Sequence, residues 1–452
     1  MTLVADKKSH RPRSLAPARG SHHPLRAEFL RGFAPWTGAA LLLVLVVGMA
    51  GTSAQWQGGW GETRQRLHLT AQLLGVPLAL AAGGLQGARE RRRRTEELLA
   101  TAVRGPLARS LAAALPVACW VVAGHAVAAA LVLLATALYA TGDEPDLVTP
   151  LTDTVALASA VLVGHVVGRL LPRRLTAPLL AVAGYAVLGV MAYDSTGPLR
   201  ELSPIGSKSV TDVPVWWQPA AMAVWTGGLA VAAVLGYAAR RRFTALLPLA
   251  AATAAGALLV QTGDALWHTA PVARRQVCDT STTPHICVNA RYESLLPQVT
   301  DALSGLTGRL EGVQNLPVRF TDLPGESGPD EVDLPMLTPI GWSVVRGRLT
   351  DQRRYAWEAG MALYSRDQCN AAVDPEVAWT DDAVEHYLAP SPSERRFDEL
   401  AAEGDKADRA ELRARLAARA RLLAMGEEER RAWLSAYFAT ARACDPSEVP
   451  AL

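Results

Sequence analysis

Apolar residues fill the first 265 or so positions in long runs broken by short polar loops, and beyond that point no apolar run exceeds a few residues. A helix needs roughly 20 apolar residues to cross about 30 Å of hydrocarbon. Lipid offers the backbone no hydrogen bonds, so each crossing segment must satisfy its own N–H and C=O groups. Seven stretches meet or approach that length, at about 32–51, 68–87, 110–140, 154–171, 177–193, 219–239 and 244–263. The pattern predicts an all-α polytopic membrane protein with about seven transmembrane helices over 26–267. A disordered cytoplasmic arm over 1–25 is expected before it, and a mainly helical α+β extracytoplasmic C-terminal domain over 268–452 after it.

Within that last region the period changes. Leu295, Leu296, Val299, Leu303, Leu306 and Leu310 fall at helical spacing, so one stripe of 292–310 can be buried. Short strands are expected at 318–321 and 342–345. Further helices are expected over 352–365, over 380–388 with Thr380 as cap, over 394–425 and over 427–442. The acidic run Asp330, Glu331 and Asp333 sits among Pro and Gly and reads as a solvated loop.

Charge sets the orientation. Lys and Arg tend to remain on the cytoplasmic side. With residue 1 inside, the inner segments hold nineteen basic residues and the three outer loops hold four; the middle outer loop, 141–153, has none and carries Asp143, Glu144, Asp146 and Asp153. An odd number of crossings then places the tail outside. No small-residue cleavage site follows the first apolar run, so helix 1 is expected to act as an internal signal anchor. The net charge of +2 gives no reason to expect nucleic acid as a partner. Arg outnumbers Lys 41 to 4, a bias typical of GC-rich bacterial genomes.

The cysteines fit the same topology. Cys119 lies in an apolar helix, while Cys278, Cys287, Cys369 and Cys444 all lie in the tail, where an oxidising compartment would allow two bridges. Three pairings exist. Short spacing favours Cys278 with Cys287, which leaves Cys369 with Cys444.

The basic loop between the second and third helices holds the most informative chemistry. Arg91, Arg92, Arg93 and Arg94 would stop helix 2 among anionic lipid headgroups, each contributing about 1 kcal/mol of attraction. Thr95, Glu97, Leu98 and Leu99 then form an amphipathic turn ended by Gly105-Pro106. This arrangement resembles the first cytoplasmic loop of type 2 ABC transporter permeases. As a whole the chain is similar to large actinobacterial ABC permease-like membrane proteins with a C-terminal extracytoplasmic domain. The resemblance implies that residues 91–99 form a coupling helix for a separate ABC ATPase subunit, and that two permease chains, as a homodimer or a paired permease, frame one path. It also implies an outer gate near Trp216 and Trp217, which otherwise read as interfacial anchors. The seventh span and the tail depart from the six-helix pattern of that family.

Gly164 and Gly168 form a G-x-x-x-G pair, which lets helix backbones approach closely. His125 and His165 lie at membrane depth and are read as neutral, bonded to a neighbouring helix. No Walker A string, no H-E-x-x-H pair and no nucleophile elbow occurs, so no catalytic residue, cofactor or metal site is expected. The functional expectation is an ABC-type permease subunit. Its alternative is a non-transporting membrane protein that anchors an extracytoplasmic binding or sensing domain.

Overall fold

A computed structural model of the chain describes residues 29–30, 32–92, 105–140, 142, 144–193, 197–206, 209–325, 327–337, 343–364, 366, 374–441 and 445–452. The N-terminal arm over 1–25 lies outside the described residues. So do Cys369 and Cys444, and so do Arg93, Arg94, Thr95, Glu97, Leu98 and Leu99 of the basic loop.

Among the described residues seven apolar helices precede the tail: α1 (Ala34–Ala50), α2 (Trp60–Gly87), α3 (Pro106–Ala137), α4 (Val148–Leu170), α5 (Thr176–Tyr193), α6 (Gln218–Ala238) and α7 (Leu246–Thr262). Five are long and apolar enough to cross a membrane, namely α2, α3, α4, α6 and the stretch Arg242–Leu266 that contains α7; α1 and α5 are shorter. Two starts differ from expectation. α2 begins at Trp60 rather than near 68, and α4 begins at Val148 rather than 154, which puts Asp153 inside a helix instead of in a loop. In both places polar residues occupy the first turns, and an apolar pattern cannot see a helix that extends beyond its apolar part.

α2 is the centre of the bundle. It packs along α4 and α5, while α1 pairs with α3 and α6 lies between α4 and α7. The α2–α4 contact is made by glycines on both sides. A Cβ on Gly164 would stand 2.2 Å from the Leu80 carbonyl oxygen, and one on Gly168 would stand 2.2 Å from that of Gly84. In return, Gly83 and Gly87 of α2 each lie where a Cβ would be 2.1 Å from the Val161 and His165 carbonyl oxygens. The two backbones touch without side chains between them, the close approach that small residues one turn apart permit.

A two-stranded antiparallel ribbon joins the bundle to the tail. β1 (Asp212–Pro214) precedes α6 and β2 (Trp267–Thr269) follows α7, with Asp212 opposite Thr269 and Pro214 opposite Trp267.

The tail has its own core. β3 (Gln276–Asp279), β4 (His285–Asn289), β5 (Arg319–Thr321) and β6 (Glu331–Asp333) form one sheet in that order, with β3 antiparallel to β4 and the rest parallel. The parallel step from β4 to β5 is made through α8 (Leu296–Arg309), as a parallel crossover needs an intervening helix. A small hairpin, β7 (Val344–Val345) with β8 (Arg348–Leu349), precedes α9 (Gln352–Tyr364). The helices α10 (Pro375–Leu388), α11 (Glu394–Glu403), α12 (Lys406–Ala424) and α13 (Glu427–Ala439) complete the layer. Ile286, Leu303, Phe320, Tyr355, Leu422 and Tyr437 are among the buried residues that fill it.

Cys278 and Cys287 face each other across β3 and β4 and form a disulfide. Closing so short a loop contributes about 2–3 kcal/mol on a chain-entropy argument.

Three local expectations are corrected. α10 starts at Pro375, capped by the Asp374 carboxylate on the Glu376 N–H, so Thr380 is an interior residue. The helix expected over 394–425 breaks at Gly404-Asp405, where Asp405 and Asp408 make a capping box that starts α12. The acidic run is not all solvated loop, because Glu331 opens β6 and pairs with Arg319 of β5.

Candidate functional site

With 28 residues, α2 rises about 42 Å, some 12 Å more than a hydrocarbon layer needs. Its first turns are therefore free to meet the tail. Glu62 and Arg291 meet there, with Oε2 and Nη2 3.5 Å apart and both side chains almost wholly buried. The Tyr292 hydroxyl donates to Glu62 Oε1. Burial, and then the Glu62 charge, push the Tyr292 phenol well above its ordinary range, so it remains a donor.

The backbone around this pair is shaped to admit it. A Cβ on Gly61 would lie 2.0 Å from Arg291 Nη2, and Gly142, at φ +85°, lies where a Cβ would be 2.5 Å from the Ala290 carbonyl oxygen. Only glycine fits at either position. Around the rim, Arg346 Nε donates to Gln57 Oε1 at 2.8 Å, and its guanidinium lies 6.0 Å from the Tyr139 ring centroid. Arg64 reaches the carbonyl oxygens of Val210 and Asp212 beside β1. Helices α2 and α3, the β1 loop and the tail thus converge on one charged contact.

Behind Arg291 stands Asp322, whose Oδ2 accepts from the Asn289 N–H at 3.2 Å. Burial raises the Asp322 carboxyl from 3.8 to about 6, against the opposing pull of the Asn289 N–H and the Arg291 charge. The folded chain thus holds a proton that the unfolded chain releases. Stability from this group is complete below about pH 3.8 and is lost as pH rises towards 6. A two-unit shift corresponds to about 2–3 kcal/mol. Asp322→Asn is expected to remove that slope between about pH 4 and 6 and to stabilise the tail at neutral pH; denaturant unfolding of the full chain across this range measures both.

Protein-family models, curated proteins and solved structures give no match to this chain. The site is therefore read from its own residues.

The far end of α2 carries the basic cluster. A helical turn, Arg89–Arg92, continues past Gly87, with Arg91 and Arg92 exposed and Arg92 Nη2 donating to the Leu85 carbonyl oxygen at 3.0 Å. Of the residues expected to dock an ATPase, these two are described. The remaining six lie outside the described residues. Trp216 and Trp217 part company: Trp216 is 90% exposed, whereas Trp217 packs on the small core of Met222, Leu259 and Leu266. His125 Nε2 meets the Pro150 carbonyl oxygen at 3.2 Å, but neither ring nitrogen of buried His165 has a hydrogen-bond partner among the described residues. Glu385 accepts from Trp357 Nε1 at 2.8 Å and His386 faces Glu394 at 3.0 Å, so both are structural contacts of the tail. Among the described residues no group of three His, Cys, Asp or Glu side chains could hold a metal ion.

Sequence reasoning missed Glu62 and Arg291. The available signal was the run Gly58-Gly59-Trp60-Gly61 directly before Glu62, since glycines crowded against one carboxylate mark a close backbone approach.

Proposed function

We propose that this chain is the permease subunit of an ABC-type transporter, coupling ATP hydrolysis by a separate ATPase chain to movement of a substrate across the cytoplasmic membrane. In this reading all seven apolar helices cross the bilayer, the N-terminus and the Arg89–Arg92 turn are cytoplasmic, and the tail is extracytoplasmic. The arginine excess on the inner loops supports that orientation. So does the Cys278–Cys287 bridge, which an oxidising compartment favours. The observation that carries the proposal is α2 itself. It carries Glu62, paired with Arg291 of the tail, at one end, and the turn with the exposed Arg91 and Arg92 follows directly at the other. A displacement at the basic loop therefore has a direct route along α2 to the outer domain.

Co-purification from native membranes tests the docking surface. Replacing Arg91, Arg92, Arg93, Arg94 and Glu97 by alanine is expected to lower the captured ATPase by about tenfold or more, since losing even one hot-spot residue of an interface costs about 2 kcal/mol. Undiminished capture sinks this site.

A second reading, the anchored binding or sensing domain, is favoured by the same buried pair, because it fixes the tail on the bundle whether or not anything is transported. The two differ in one outcome. A transporter loses its role when 268–452 is moved to an unrelated anchor, and a pure anchor does not.

A further inference from the structure

Inside the bundle, away from the Glu62 pair, a second set of polar side chains converges from three helices. Asp153 of α4 is fully buried. Its Oδ1 accepts from His68 Nδ1 and from Gln72 Nε2 of α2, each at 2.7 Å. Gln72 lies in a π-helical turn of α2, Ala71–Gly75. Such turns open the i→i−4 ladder and recur at functional positions.

The set is incomplete in a consistent way. Among the described residues, Asp153 Oδ2, Gln72 Oε1 and His125 Nδ1 are all buried without a hydrogen-bond partner. His125 Nε2 faces the Pro150 carbonyl oxygen, so it carries the ring proton and leaves Nδ1 as an acceptor. Three buried acceptors with no donor among them are costly. A proton bound to Asp153 Oδ2 would remove the buried negative charge and make that atom a donor.

Water can reach His68 at the edge of the set. His68 lines a cleft of about 40 Å³ together with Arg64, Gln65, Thr149 and Trp267. At roughly 15 Å³ per molecule that volume admits a few waters and no organic substrate.

The charged and titratable groups around Asp153 are few. α2 brings Arg64 and His68, α3 brings His125, and the loop before α4 brings Asp146, whose Oδ2 is 4.0 Å from Arg64 Nε. The Pro204 carbonyl oxygen engages the His68 ring. α1, α5 and α6 contain no charged residue.

We propose that Asp153, held by His68 and Gln72 and faced by His125, is a proton-binding site within the membrane bundle, loaded from the cleft at His68. The proton arrives from water and rests on Asp153 Oδ2, and no other bond changes. The site joins α2, α3 and α4, so its occupancy bears on how these helices sit together. The proposal does not depend on an ATPase partner.

Infrared spectroscopy of the full chain in lipid nanodiscs, titrated over about pH 4 to 9, tests it. A C=O band of a protonated carboxyl is expected to appear as pH falls, and to be missing from Asp153→Asn in the same range. Using an Asp322→Asn background keeps the tail carboxyl out of the difference. Should Asp153→Asn fail to fold, Asp153→Glu keeps the carboxyl and is expected to shift the band. A band identical in wild type and Asp153→Asn, or no band at any pH, overturns the proposal; so does a signal that follows sodium concentration and not pH, which would mark a sodium site.

Discussion

Replacing Glu62 by alanine with Arg291 in place is expected to destabilise the chain by about 3–5 kcal/mol, because a buried guanidinium loses the Glu62 carboxylate where water cannot reach it. Nearly all of the Arg291 side chain is buried, and its Nη2 lies 3.5 Å from the carboxylate that balances it. The Tyr292 hydroxyl loses its acceptor in the same variant. The pair as a whole need not be strongly stabilising, since desolvating two ions offsets much of their attraction. Glu62→Gln with Arg291→Met is therefore expected to recover much of the loss. Thermal unfolding of wild type, Glu62→Gln, Arg291→Met and the double variant, in one detergent, gives the coupling energy. A coupling near zero rejects the ion pair as the joint between α2 and the tail.

The second large effect is expected at Gly168. An alanine there brings its Cβ 2.2 Å from the Gly84 carbonyl oxygen, and neither backbone can yield without parting α2 from α4. Overpacking of this kind costs about 1–3 kcal/mol for a methyl, and Gly168→Ile should exceed it. Gly189 of α5 is the control, because a Cβ there meets nothing within 4 Å. Melting temperatures of Gly168→Ala, Gly168→Ile and Gly189→Ala should fall in the order Ile, Ala, control, with the control near wild type. Equal melting of all three contradicts the backbone contact.

The seven apolar helices were legible because lipid imposes a length and a composition that no other environment requires together. Their starts were less so. Trp60 to Arg66 is polar helix, and nothing in hydropathy separates it from loop; only the partner at Arg291, some 230 positions away, explains why it stays helical. Asp153 lies just before the apolar run, so hydropathy alone leaves it in the loop; in the fold His68 and Gln72 offset the cost of a carboxylate at depth from another helix. The G-x-x-x-G pair was visible in α4, whereas its counterparts Gly83 and Gly87 follow the same spacing in α2 and passed unnoticed. In the tail, the amphipathic stripe of α8 announced itself, but the parallel pairing of β4, β5 and β6 is non-local and leaves no mark on short strands. Asp374 as a cap and the Gly404 break were both present as residue types and were outweighed by the longer periodic pattern.

The ribbon of β1 and β2 has a mechanical corollary. Because the chain enters α6 and leaves α7 through neighbouring strands, the hairpin has both hinges on one edge, like a door hung on a single jamb. Neither helix can swing alone without tearing three residue pairs, so any tilt must take both together and must tug on the first residues of the tail.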